Sequence, residues 1–154
     1  MPYNRYLNGI IRQPHFQADV VGNDELTAAH PKHLIFKYDF ATDGGSQGSI
    51  SLKDNNGVAQ QIPAGAIITN SYIEVETAIT SAGSATVAFG LLGNTDAFKA
   101  ATAKGTLSAN YVVAGANDLP LRTAVPIDVQ ATIAVADLDG GLFRIFVEYI
   151  EGGF

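Results

Sequence analysis

Ile127-Asp128-Val129-Gln130-Ala131-Thr132-Ile133-Ala134-Val135 is the stretch on which the fold reading turns. Apolar side chains occupy every second position from Ile127 to Val135, while Asp128, Gln130 and Thr132 take the places between them. A period of two is the period of a pleated strand with one face buried and one face wet, and no helix would keep such residues on one side. Pro126 opens the run and Asp137-Leu138-Asp139-Gly140-Gly141 closes it with residues suited to a tight turn. The next stretch, Leu142 to Ile150, repeats the pattern, with Phe143, Ile145, Val147 and Tyr149 opposite Arg144 and Glu148.

Working toward the amino terminus, the same signal recurs. Leu34, Phe36, Tyr38 and Phe40 share one face against Lys37 and Asp39, and Asp43-Gly44-Gly45 ends that run. Ser49 to Lys53 resumes with Ile50 and Leu52 inward, and Asp54-Asn55-Asn56-Gly57 is the strongest tight-turn signal of the chain. Pro63-Ala64-Gly65 precedes a long strand, Ala66 to Thr77, with Ile73 and Val75 inward and Tyr72, Glu74 and Glu76 outward. Ser81-Ala82-Gly83-Ser84 is read as a hairpin turn into a strand that buries Ala85, Val87, Phe89 and Leu91. Gly93-Asn94-Thr95-Asp96 reads as the cap of one short helix over Ala97 to Ala103. Tyr111 to Ala114 reads as a small strand.

Seven or eight short strands, turns rich in Gly and Asn, and a single brief helix specify an all-β chain: an antiparallel two-sheet sandwich, jelly-roll-like or closely related. The composition agrees, since charged residues are 16% of the 154 positions against 47% hydrophobic, with 16 Gly. No repeat at a fixed period is present, which argues against a propeller or solenoid.

The first 32 residues behave differently. Tyr3, Tyr6, Leu7, Ile10, Ile11, Phe16, Val20 and Val21 follow neither period for long, and Pro2, Pro14 and Pro31 interrupt them. Two arrangements satisfy this pattern: an extended arm whose apolar side chains are covered by its own domain or a neighbour, or an irregular first strand and loop. The expected organisation is an extended N-terminal arm, residues 1–32, followed by a β-sandwich domain, residues 33–154.

A net charge of −6, with nine scattered Lys and Arg, opposes direct nucleic-acid binding. No apolar run reaches the length of a membrane span, and no signal-peptide core follows Met1, so synthesis in the cytoplasm and no membrane partner are expected. Cysteine is absent, which removes thiol nucleophiles and disulfides.

Other chemistry finds little support. His30 and His33 form the only histidine pair, Pro31 between them breaks helical spacing, and His15 is remote, so no metal site is expected. Asp137-Leu138-Asp139-Gly140 begins like a calcium loop but lacks the later ligands, and a hairpin turn accounts for it. Glu74 and Glu76 lie about 7 Å apart along one strand face, a spacing that glycosidase carboxylates use, yet solvent-facing acids on a sheet have the same pattern. Nucleophile-elbow, phosphate-loop and dinucleotide fingerprints are missing. No enzyme activity and no cofactor are expected.

Three stretches carry a resemblance: Ile62-Pro63-Ala64-Gly65-Ala66-Ile67-Ile68-Thr69-Asn70, Thr80-Ser81-Ala82-Gly83-Ser84-Ala85-Thr86-Val87-Ala88, and Gly141-Leu142-Phe143-Arg144-Ile145-Phe146-Val147-Glu148-Tyr149. Together they resemble small virion structural proteins of tailed bacteriophages, in particular the jelly-roll-like capsid decoration or cement proteins, over residues 34 to 150. The resemblance implies a homotrimer that binds the outer surface of a major-capsid-protein shell and strengthens the mature head. Residues 1–32 match no motif of that family. Tyr3, Tyr6, Ile10, Ile11 and Phe16 are the expected anchors on the capsid or a neighbouring subunit, with core packing as the alternative for each. A tail-associated or receptor-binding module is the rival expectation, in which Tyr72 or Tyr111 would contact sugar rings.

Overall fold

The computed structural model describes residues 30–151, and the arm anchors expected at Tyr3, Tyr6, Ile10, Ile11 and Phe16 lie outside them. Strand β1 (Lys32–Asp39) carries the first alternation, with Phe36 and Tyr38 fully buried. Asp39 then caps a single turn of helix, α1 (Phe40–Asp43), its carboxylate accepting the Ala41 amide at 3.0 Å. Gly44 ends the turn with φ 75°, a conformation that strongly favours glycine. Nine further strands follow among the described residues: β2 (Gly48–Ser51), β3 (Gln61–Ile62), β4 (Ala66–Thr80), β5 (Thr86–Leu91), β6 (Asn94–Ala103), β7 (Tyr111–Ala114), β8 (Leu121–Arg122), β9 (Ile127–Ala134) and β10 (Gly140–Glu151).

They form two antiparallel sheets. One has the order β1-β10-β4-β7, with β8 also on β4; the other has the order β2-β9-β5-β6, with β3 also on β9. Without the two-residue strands β3 and β8, each sheet has four strands, and apart from the β5–β6 hairpin successive strands alternate between the sheets, in the order of a jelly roll. Phe36, Tyr38, Ile73, Val75, Phe143, Ile145 and Val147 line the inner face of the first sheet. Val87, Phe89, Leu91, Val129, Ala131 and Ile133 oppose them from the second. The Phe143 ring stacks on Tyr38 at 4.9 Å and meets the edge of Phe89 at 5.1 Å, so one aromatic group joins both layers.

Four expectations from sequence are corrected. The stretch Ala97 to Ala103 is strand rather than helix, because Leu92-Gly93 is a two-residue hairpin loop, with Gly93 at φ 86°, that lays β6 directly on β5. Asn94 does not cap a helix; its side-chain amide donates to the Asp118 carboxylate at 3.0 Å. Extra residues bulge out between the Leu91–Asn94 and Phe89–Lys99 pairs, and Ala97 and Phe98 turn inward there. Ser81–Ser84 does not close a hairpin but carries the chain from β4 in one sheet to β5 in the other. The same holds for Asp137–Gly141, which leads from β9 to β10. At that corner the Asp137 carboxylate accepts the Gln47 amide, and its carbonyl accepts the Ser81 hydroxyl. Val135, expected inward, is 67% exposed at φ 74°, because the strand ends at Ala134 and the corner begins.

Candidate interaction surface

Position parity on the first sheet decides which side chains face outward. Because Phe143, Ile145 and Val147 of β10 point into the core, Arg144, Phe146 and Glu148 must point out. Pairing registers then align the outward residues into rows that run across the strands. Ile35 of β1, Phe146 of β10, Tyr72 of β4 and Ala114 of β7 form one row. Lys37, Arg144, Glu74 and Val112 form the next, and His33, Glu148 and Asn70 lie on the other side. An apolar row thus crosses the sheet between two polar ones. Tyr72 is 47% and Val112 62% exposed, while Ile35 and Phe146 are half-buried.

The polar rows are partly knitted together. Arg144 donates to Glu76 Oε1 at 2.9 Å and to Asn55 Oδ1 at 3.0 Å, which ties the face to the Asp54–Gly57 turn. Asn70 donates to the Tyr72 hydroxyl at 3.0 Å, and the His33 imidazole lies 3.6 Å from Glu148. Glu74 has no ion pair among the described residues.

The outer face of the second sheet is built differently. Ser49, Ser51, Thr132, Gln130, Ala88 and Gly90 occupy it, small or hydroxylated apart from Gln130, with Asp128 and Gln61 at one end. Ser49 bonds Thr132 at 2.8 Å, Ser51 donates to Asp128 at 2.7 Å, and Gln130 donates to Ser51 at 3.2 Å. Those polar groups are satisfied locally, so that face offers little for an apolar partner.

A cleft of about 250 Å³ lies beside the Asp54–Gly57 turn, lined by Lys37, Asp43, Lys53 and Asn55 among others. Its charges serve the fold. The buried Asp43 carboxylate takes Lys53 Nζ at 2.6 Å and the Asp39 amide at 2.9 Å. Burial, followed by the Asp43 and Asp39 carboxylates, pushes the Tyr38 phenol up to about 12, and its hydroxyl donates to the Gly44 carbonyl at 2.7 Å. The Asp43, Lys53 and Tyr38 groups hold α1 and its flanks, while Asn55 accepts from Arg144 and Asp54 from the Asn56 and Val58 amides of its own turn.

The structure brings Tyr72, Glu74 and Glu76 onto one outward face as the alternation implies, with Glu76 engaged by Arg144. Tyr111 opens β7, the small strand expected there, and is half-buried against the core. Phe146 and Ile35 were not singled out from sequence, although the signal was present: both interrupt their strands with an apolar residue of the wrong parity.

No protein-family model and no curated protein matches the chain. Solved structures do. A chain of the cyanophage Pam1 capsid asymmetric unit superposes with a TM-score of 0.56 and 20% identity, over 79% of this chain and 84% of that one. A chain of the acidic stable capsid of Helicobacter pylori bacteriophage KHP30 gives 0.55 and 14%, over 78% and 86%. One from the capsid of Ralstonia phage GP4 gives 0.56 and 14%, over 80% and 86%. At these identities the likeness is one of fold.

Proposed function

We propose that this chain is a capsid decoration, or cement, protein of a tailed phage, which binds the outer surface of the major-capsid-protein shell and stabilises the mature head. The observation that carries the reading is the jelly roll it has in common with chains of three phage capsids, over nearly equal shares of both partners. Equal shares mean chains of similar length.

The mechanism is linkage. A subunit that touches two capsid proteins buries contact area only when the shell is assembled, so its binding free energy shifts the balance toward the intact particle. In this reading residues 1–32 act as an arm, with Tyr3, Tyr6, Ile10, Ile11 and Phe16 as its anchors, and the subunits gather as a homotrimer. Among the described residues no three metal-ligating side chains gather at one point, and the Asp43 and Lys53 charges of the polar cleft are paired with each other.

Mass spectrometry of purified heads after tail removal tests the proposal. The protein should be present in the head fraction, and a chain lacking residues 1–32 should keep β-sheet circular dichroism while failing to cosediment with heads. Its absence from tail-free heads, together with a glycan-array signal abolished by Tyr72→Ala, would establish the tail or receptor-binding reading instead.

A further inference from the structure

We infer that the outer face of the β1-β10-β4-β7 sheet pairs with the same face of a second copy of this chain, around a two-fold axis that runs along the strands between β10 and β4. The argument is one of symmetry. About that midline the apolar row is even: Phe146 and Tyr72 are the inner pair, Ile35 and Ala114 the outer pair. The charged row is odd at its inner pair, with Arg144 on one side and Glu74 on the other; its outer pair is Lys37 and Val112. Turning a copy over about the axis keeps each row at its own height and exchanges left for right. Phe146 then meets Tyr72 of the second copy, and Arg144 meets its Glu74.

An isologous contact sets each residue against its own mirror position, and the apolar row and the inner charged pair both meet that condition, with the Lys37 and Val112 positions at the rim. A different partner would need neither property. Glu74, without an in-chain ion pair among the described residues, gains a cation in this arrangement. In the row on the other side, Glu148 meets Asn70, an acceptor against an amide.

Four strands at about 4.8 Å spacing and some eight residues of length give a face of about 500 Å² per copy. The pair buries about 1,000 Å², the lower limit for a specific contact, so pairing is reversible and in the micromolar range or weaker. This inference rests on the sheet alone and stands apart from the capsid reading. If the chain also forms trimers, pairing doubles them.

Sedimentation equilibrium of the full chain, from about 1 to about 500 µM, reads the association. The smallest assembly should double in mass with rising concentration. Tyr72→Asp, Glu74→Arg and Arg144→Glu should each weaken doubling by at least about tenfold, and the double variant Glu74→Arg with Arg144→Glu should recover most of it. Circular dichroism of each variant checks the fold, and the Tyr72 and Glu74 variants carry the test if Arg144→Glu unfolds through loss of Asn55 and Glu76. No doubling in the native chain, doubling insensitive to Tyr72→Asp and Glu74→Arg, or no recovery in a folded double variant would each overturn the inference. A Tyr72→Asp chain that loses heads while doubling normally would assign the face to the capsid protein instead. Binding to heads is scored separately, so failure here leaves the capsid reading intact, and the converse also holds.

Discussion

Phe143 and Phe146 sit three positions apart on β10 and look alike in sequence, yet the fold assigns them opposite fates. Phe143 is fully buried, stacked on Tyr38 and edge-on to Phe89, whereas Phe146 stands on the outer face. Phe143→Ala removes a ring from the junction of both sheets, and a buried Phe truncated to Ala costs about 3–5 kcal/mol with its cavity and lost aromatic contacts. For a domain of this size each kcal/mol moves the melting temperature by about 2–4 °C, so a loss centred near 4 kcal/mol lowers it by about 8–16 °C. Phe146→Ala, half in water already, should cost about 1 kcal/mol or less. Urea unfolding followed by circular dichroism measures both, repeated at two concentrations below the micromolar pairing range so that a coincident midpoint shows self-association adds nothing. Equal costs for the two variants would refute the assigned parity, since a register displaced by one residue would exchange the two faces.

Other consequences follow from single contacts. The fold favours the protonated phenol of Tyr38, whose pKa is raised from 10.0 to about 12. The resulting stability is fully present below pH 10 and lost as pH rises toward 12; the loss is on the order of 1–2 kcal/mol once solvent screening at the partly exposed Asp39 is allowed for. A Tyr38→Phe chain should lack that step in its pH–stability curve. Asp43→Asn weakens the bond to Lys53 and removes one of the charges that raise the phenol, so it should cost about 1–2 kcal/mol in urea and lower the phenolate midpoint read by absorbance, though not to the free value because burial persists. Gly90→Ala places a methyl 2.3 Å from the Asn94 carbonyl oxygen and 2.4 Å from the Thr95 carbonyl carbon, both backbone atoms. It should cost about 1–3 kcal/mol, and an unchanged unfolding midpoint would mean that the β6 bulge does not cross over β5 there.

Period-two patterning identified most of the strands because half-burial leaves a mark on every second residue. It worked for β1, β4, β5, β9 and β10, where Phe36, Val75, Phe89, Ala131 and Val147 all fell on the core side. It failed where tertiary contacts decide. Ala97 to Ala103 has helix-compatible residues, but the Leu92-Gly93 loop and the backbone bonds from Asn117 and Asp118 to Phe98 and Ala97 hold it extended. Turn chemistry marked the Ser81–Ser84 and Asp137–Gly141 corners correctly as turns. Whether a turn returns to the same sheet or crosses to the other depends on long-range pairing, here β4 with β10 and β5 with β9, and four local residues carry no record of that. Parity marks Ile35 and Phe146 singly, but the outer apolar row as a row is not legible for the same reason: Ile35, Tyr72, Phe146 and Ala114 are scattered over the chain, and only register makes them neighbours.

Exposed apolar side chains do not all carry the same meaning. Val135 is the most exposed large hydrophobic residue described, at 67%, yet it sits alone at a corner with positive φ, where geometry accounts for its position. Isolated cases of this kind are ordinary on protein surfaces. Phe146 and Tyr72 differ because they lie in the middle of regular strands, where nothing in the backbone prevents a charged residue, and because register sets them side by side. A polar residue at either place would satisfy the local alternation better. A departure from local patterning, without backbone strain to explain it and repeated on adjacent strands, implies a surface that is covered in use. The second sheet supports the contrast: the outer residues described there include no aromatic ring and bond one another, so that face is satisfied within the chain, whereas the first sheet carries an apolar row across its centre.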